Sequence, residues 1–355
     1  MADRWSRLRG YLQLYRLRES EGHLPAATQL LESLVLLVRF RIGPGFYQLA
    51  GLWRRSVSWR DKTAHLTKRA YEKRVDQLNP REYRKLSQNK VAEKAILQLH
   101  GLPTPRYLGH LDARTGMAFD GAPLRSAAQL AALLERLDDA RVCFKPTEGF
   151  AGRGFRAVEV LRGPAGPSLR PLGEEAALSA EDFCREVGLE LGGSFLVESY
   201  LVQHPDYAAF NPSSVNTLRL WTLQPLGGDP KVVLGYLRIG RQGSLVDNQC
   251  SGGIVAPVDL DTGLLRAALD GLPERREYPS HPDHGAAIEG QKACRLDEAV
   301  SLARHALGAF PKLRFAGFDI AMTGEGPAVI EMNVCPDLVG AAFADVPAAR
   351  ALREL

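Results

Sequence analysis

Cysteine is scarce in this chain of 355 residues: five occur, Cys143, Cys184, Cys250, Cys294 and Cys335, widely spaced and with no CxxC pair. That excludes a disulfide framework and a zinc cluster of ordinary spacing, and it suits a reducing compartment, the cytoplasm. Long apolar runs are missing as well. The run at 34–38, flanked by Glu32 and Arg39, is far too short to span a bilayer. The opening residues have no apolar core directly behind them, so they do not read as a signal peptide. No GK[ST] occurs, which removes a Walker A loop, and no GxSxG, which removes a serine-hydrolase elbow. There is no internal repeat and no low-complexity tract.

What is present is an ordinary globular composition, 45% hydrophobic and 24% charged, with 34 Gly and 22 Pro spread along the chain. The length allows two or three packed units. The net charge of +4 conceals an asymmetry: residues 1–100 carry 20 Lys/Arg and 9 Asp/Glu, and the remainder 25 and 32. A basic segment can meet a membrane surface, a nucleic acid or an acidic partner, or it can be a solvated helical face. We read it as the solvated face, expect no nucleic-acid partner, and keep peripheral membrane contact as the alternative.

Helical spacing predicts helices over 4–20 and 25–40, with Leu30, Leu31, Leu34, Val35 and Val38 expected to pack against the rest of the domain. Gly43-Pro44-Gly45 is expected to end this unit. Residues 46–78 read as helical and basic, anchored by Trp53 and Trp59, and Asn79-Pro80 starts a new helix. Further helices are expected at 90–97, 126–139, 180–188 and 297–310. Strands are expected at 106–109, 141–146, 155–161, 194–200, 215–224 and 231–238. The Gly/Pro-rich 162–177 reads as a surface excursion, and 239–253 and 273–289 as loops. The mixture predicts an α+β fold with mainly antiparallel sheets.

Near the C-terminus two apolar runs, 317–322 and 328–334, flank Thr323-Gly324-Glu325-Gly326-Pro327, a hairpin signal. A loop symmetrical about Glu325 sets Asp319 opposite Glu331, and period-2 alternation puts Asn333 on the face of Glu331. One face then carries two carboxylates and an amide oxygen, and the like charges repel unless a cation sits between them. That set suits Mg²⁺, with Mn²⁺ as a substitute, held by carboxylates and completed by phosphates. A half-exposed polar face, or carboxylates paired with Arg, is the plainer reading.

Four other segments carry chemistry. Lys145 ends a strand and is followed by Gly149, Gly152 and Gly154, whose backbone N–H groups can cradle phosphate oxygens; a strand, not a helix, comes next, so this is a flap rather than a dinucleotide fingerprint. The strand ending Glu198-Ser199-Tyr200-Leu201 runs out into a connection that can offer main-chain groups to an adenine edge. Arg219 lies in an apolar strand, shares a face with Thr217 and Trp221, and needs an anionic partner. Arg238, Arg241 and Asn248 beside Gly252-Gly253 suit the clamping of a carboxylate or acyl phosphate. His281 and His284 lack a third nearby ligand and are expected at the surface.

The order of these parts resembles the ATP-grasp superfamily: strand lysine, Gly-rich flap, Glu-containing linker, strand Arg, Asn with Gly-Gly, then Asp and Glu-x-Asn. Asn79-Pro80 with Tyr83 and Lys90, Gln203-His204-Pro205, the stretch 213–219, Arg238-Ile239-Gly240, and Val246-Asp247-Asn248 with Gly252-Gly253 are similar to its sugar-transfer-associated branch, over roughly 43–340. The resemblance implies a helical, basic region at 1–88 and two α/β subdomains, 89–200 and 201–355, gripping ATP between antiparallel sheets. It implies nucleotide contacts from Lys90, Lys145, the flap, Glu198, Tyr200 and Leu201. It implies magnesium ligation by Asp319, Glu331 and Asn333, and γ-phosphate or acyl-phosphate contacts from Arg219, Arg238 and Asn248. For ribose it leaves Gln203, His204 and Asp206 open, and Thr217 faces either nucleotide or core. The activity implied is an ATP-dependent carboxylate–amine ligase acting through an acyl phosphate, in a cell-surface sugar or peptide-like metabolite pathway. The alternatives are a phosphotransferase on a hydroxyl and a nucleotide-binding module without catalysis.

Overall fold

Alternation in the strands sorts each into a core face and a polar face, and two antiparallel sheets of seven strands follow. The computed structural model describes residues 2–149, 152–164 and 166–353; Phe150 and Ala151, in the middle of the expected flap, lie outside them. The first sheet holds β1 (Tyr107–Asp112), β2 (Met117–Ala118), β3 (Arg141–Pro146), β4 (Arg156–Gly163), β5 (Gly166–Pro171), β6 (Leu178–Ser179) and β7 (Ser194–Ser199), in the order β2-β1-β7-β3-β4-β5-β6. Val142 and Phe144 of β3 and Phe195 and Val197 of β7 pack beneath the helices Ala127–Arg136 and Ala180–Glu186. Their alternates, Cys143, Lys145 and Glu198, face the opposite way.

The second sheet holds β8 (Thr217–Leu223), β9 (Lys231–Ile239), β10 (Ile254–Pro257), β11 (Ala268–Leu269), β12 (Glu277–Tyr278), β13 (Phe315–Met322) and β14 (Pro327–Asn333), in the order β12-β11-β10-β9-β8-β13-β14. One face, with Leu218, Leu220, Leu237, Phe318 and Ile320, packs on the helix Leu296–Ala309. On the other, Trp221, Leu223 and Phe315 lie under Tyr71, Val75 and Leu78 of the helix Lys68–Leu78. That helix covers only part of the face. Further along the same strands the side chains turn polar: Thr217, Arg219 and Asp319.

Asn79 fixes this arrangement. Its amide donates to Phe315 O and Val334 O, both at 2.7 Å, and its oxygen accepts from the N–H groups of Arg314 and Phe315 at 3.1 Å. A buried amide with such partners clamps the start of β13 to the end of β14.

Several expectations need correction. Pro44 does not end a unit; it opens the helix Pro44–Leu49, at a position where its missing N–H costs nothing. Trp53 is buried, but Trp59 is 45% exposed and anchors nothing. Asn79-Pro80 leads into a 3₁₀ turn, Arg81–Tyr83, and then a single α-helical turn, Lys85–Gln88, rather than one continuous helix. The supposed excursion at 162–177 supplies β5, paired along β4 from Val158↔Pro171 to Gly163↔Gly166. Leu97, in the helix Lys90–Leu99, joins the core of the second sheet rather than that of the sheet next to it in sequence. Leu30, Leu31, Leu34, Val35 and Val38 face outward instead of inward.

Candidate active site

The polar faces of the two sheets enclose a cavity of about 370 Å³. Lys145, Cys143 and Glu198 form one wall, with Tyr200 and Leu201 at the edge and Gly149, Gly152, Arg153 and Phe155 over the opening. Thr217, Arg219, Tyr236, Arg238, Asp319, Glu331 and Asn333 form the other, with Lys90 and the loop 245–250 at the sides.

On the second sheet the charges alternate. Arg219 holds Asp319 through two parallel bonds, Nε to Oδ1 and Nη2 to Oδ2, the latter at 2.7 Å. Arg238 Nη1 reaches the same Oδ2 at 2.8 Å, and its Nη2 lies 3.1 Å from Asp247 Oδ1. Asp247 Oδ2 accepts from the Thr217 N–H at 3.1 Å and from its hydroxyl. Gly317 makes room: a Cβ there would come 2.8 Å from Pro336 Cβ and 3.2 Å from Arg219 Cδ. Burial pushes both aspartates up, but for Asp319 two guanidinium groups prevail and hold it below the ordinary value. For Asp247 burial wins over Arg238, and its carboxyl stays raised.

Asp319 does stand opposite Glu331, though not by a symmetrical hairpin. From the turn the register runs Met322↔Pro327 to Ile320↔Val329; Ile330 is then an extra residue, and Asp319 meets Glu331 beyond it. This bulge brings Ile330 to the cavity beside Glu331 and Asn333, while Val329 and Met332 enter the core. Glu331 is 3.3 Å from Lys90, and the Asn333 Nδ2 is buried without a hydrogen-bond partner. Behind them Glu93 Oε1 accepts from the Met332 N–H at 2.8 Å; burial, with Glu331 nearby, pushes its carboxyl up to about 8.

On the first sheet the buried Glu198 carboxylate lies between Lys145, at 2.7 Å, and Lys94. From the cavity wall it therefore orients Lys145. Burial disfavours the charge on all three; Glu198 nevertheless falls and Lys145 rises because of their pairing, whereas Lys94 is lowered. Burial pushes the Cys143 thiol up to about 12, which makes it an inert wall. The N–H groups of Ser199 and Tyr200 are spent on the carbonyls of Arg106 and Arg141. The flap glycines Gly152 and Gly154 have φ of +68° and +75°, and a Cβ on Gly152 would lie 3.4 Å from Val246, so the flap rests against the loop from the other sheet. Gly149 and Gly152 line the cavity; Gly154 sits behind, against Pro146. Asn248 also lines the cavity and accepts from the Cys250 N–H at 3.4 Å.

The three ribose candidates are not among the cavity-lining residues. Gln203 is a structural bracket, donating to Asn211 O and Ser214 O and accepting from Asn216. His204 Nδ1 lies 3.7 Å from Asp206 and 3.6 Å from Cys294 Sγ. His281 is buried rather than superficial, its Nε2 2.9 Å from Gly240 O, and it stacks on His284 at 3.9 Å. Sequence reasoning missed Lys94, Glu93 and Asp247 as members of the site. A charged residue in a helix or loop carries no periodic mark of its eventual partner; only Lys94 in an apolar helix face hinted at one.

A sequence profile for sugar-transfer associated ATP-grasp matches residues 68–354. No curated protein matches the sequence. Similar solved structures include an ADP complex of N5-carboxyaminoimidazole ribonucleotide synthetase (13% identity, TM-score 0.41, covering 74% of this chain and 53% of that one). An L-amino acid ligase from Bacillus licheniformis gives 15%, 0.41, 76% and 49%, and a D-cycloserine synthetase 13%, 0.43, 88% and 92%. The chain spans about half the length of the first two. With the profile spanning most of the chain, and with paired antiparallel sheets enclosing the cavity, this protein belongs to the sugar-transfer associated ATP-grasp family.

Proposed function

We propose that this chain is an ATP-dependent ligase that joins a carboxylic acid to an amine through an acyl phosphate. The observation that carries the reading is the state of the cavity's carboxylates. Glu198 is bound to two lysines, Asp247 to Thr217 and Arg238, Asp319 to two arginines and Glu331 to Lys90. Asp337 accepts the Val339 N–H. All but the exposed Asp337 are thus engaged with cations, and a general base for a hydroxyl acceptor would have to be Asp337 or the second oxygen of Glu331. A carboxylate acceptor is already ionised at neutral pH and needs none, which favours the ligase over the phosphotransferase.

Lys90 and Lys145 would meet the nucleotide phosphates beneath the flap, with Leu201 at the adenine edge. Arg219 and Arg238 would hold the anionic acid and the transferring phosphoryl group in place. Glu331, paired with Lys90 through one oxygen, would give the other, and Asn333 its amide oxygen, to a magnesium or manganese ion; Asp319, with both oxygens on guanidinium groups, would share itself between metal and arginine. When bound, the metal neutralises charge on the phosphates. In the first step the bond from the γ-phosphorus to ADP breaks as the acid's oxygen bonds to phosphorus. In the second the amine nitrogen attacks the carbonyl carbon and phosphate leaves, itself a base for the proton the amine releases.

A screen of uronic acids and amino acids for acid-dependent ADP release, with hydroxylamine as trap, tests the proposal. ADP release with a hydroxamate supports it. ADP release with a phosphorylated hydroxyl product and no hydroxamate indicates the phosphotransferase, and nucleotide binding without turnover indicates the binding module. The family's sugar-transfer label motivates the sugar acids.

A further inference from the structure

The helix Ala26–Phe40 is built inside out. Its buried residues are Gln29, Ser33 and Leu36, two of them polar. Gln29 donates to the carbonyls of Tyr15 and Leu24, and Ser33 accepts from the Tyr15 hydroxyl at 2.9 Å. Leu30, Leu31, Leu34, Val35, Leu37 and Val38 are 36–67% exposed. At ~100° per residue these six cover roughly 160° of the helix circumference, one continuous aliphatic face. Single exposed leucines need no explanation, but a whole helical face does.

We infer that this face docks on an anionic lipid surface, with the helix lying in the plane of the membrane. The surroundings choose this occupant. Arg9 and Arg16 on the preceding helix, and Arg39 and Arg41 at the end of this one, are exposed. A second copy seated on the face would bring two such basic regions together, whereas anionic headgroups complement them. The face is aliphatic and carries no polar group to read a protein surface. No described helix is long and apolar enough to cross the membrane, so the mode is interfacial.

Flotation of the full chain with phosphatidylcholine vesicles, with and without phosphatidylglycerol, tests this. The unaltered protein should float with the anionic vesicles and much less with the neutral ones. Leu34→Asp with Val38→Asp should lower partitioning at least about tenfold, since each aliphatic side chain carries a burial term of that order. Both positions are exposed, so the unfolding midpoint should not move; should that variant fail to fold, Arg39→Glu with Arg41→Glu takes its place and should reduce flotation on anionic vesicles alone. No flotation, or equal flotation with both vesicle types, overturns the inference. So does a dimer in solution that Leu34→Asp dissociates while no vesicle binding is seen, because a second copy then covers the face.

Discussion

Asp319 faces Glu331 across the β13–β14 ladder, yet the two carboxylates answer to different cations: Arg219 and Arg238 for the first, Lys90 for the second. Their replacement should therefore separate stability from activity. Asp319→Asn removes the shared anion of two buried guanidinium groups and should cost about 3 kcal/mol of stability as well as ADP production. Glu331→Gln, at a site 32% exposed, should abolish turnover with a stability change below about 1 kcal/mol. Denaturant unfolding beside ADP-release assays checks both, and equal stability losses would contradict the assignment.

Glu198 is expected to act through Lys145. Glu198→Gln leaves two buried lysines facing each other and should destabilise by about 3 kcal/mol, with weakened ATP binding. Adding Lys94→Met removes the surplus charge and should recover part of the stability. A double variant no more stable than the single one would show that Lys94 is not coupled to Glu198.

Gly317→Ala tests the close approach of Arg219 to its strand. The added methyl group meets Pro336 and the Arg219 side chain, so the guanidinium should shift and activity should fall at least about tenfold, the effect of a small misplacement in a positioned site. Unchanged kcat/KM would show that Arg219 tolerates the shift.

Acid should weaken the fold through His65. The ring is buried against Phe46, and burial pushes its pKa from 6.5 down to about 4. The unfolded chain thus binds a proton at higher pH than the folded one. Full stability is present above about pH 6.5 and falls as pH drops toward 4, by up to about 3 kcal/mol. Unfolding curves at stepped pH should show this slope, and His65→Gln should flatten its share of it.

The bulge at Ile330 shows how sequence and structure divide the work. Counting symmetrically about Glu325 reached the right pair, Asp319 and Glu331, by the wrong register, because the hairpin turn is shorter and Ile330 restores the alignment. Strand alternation was legible throughout β3 and β8, since the period of two is a local property of extended backbone. The helix Ala26–Phe40 was legible as a helix, but the direction of its apolar face was not, because one stripe can meet a core or a lipid surface equally well.

By itself the sequence determined which residues share a strand face: Thr217 with Arg219, Cys143 with Lys145, Glu331 with Asn333. It also determined that a buried Arg219 must find an anion, because an unpaired buried charge is too costly. Only the tertiary structure decided that the anion is Asp319, a hundred residues on, shared with Arg238. It also decided that Glu198 serves Lys145 and Lys94. Partner choice among distant charges depends on which strands become neighbours, and that is settled by packing across the whole chain rather than by any local pattern.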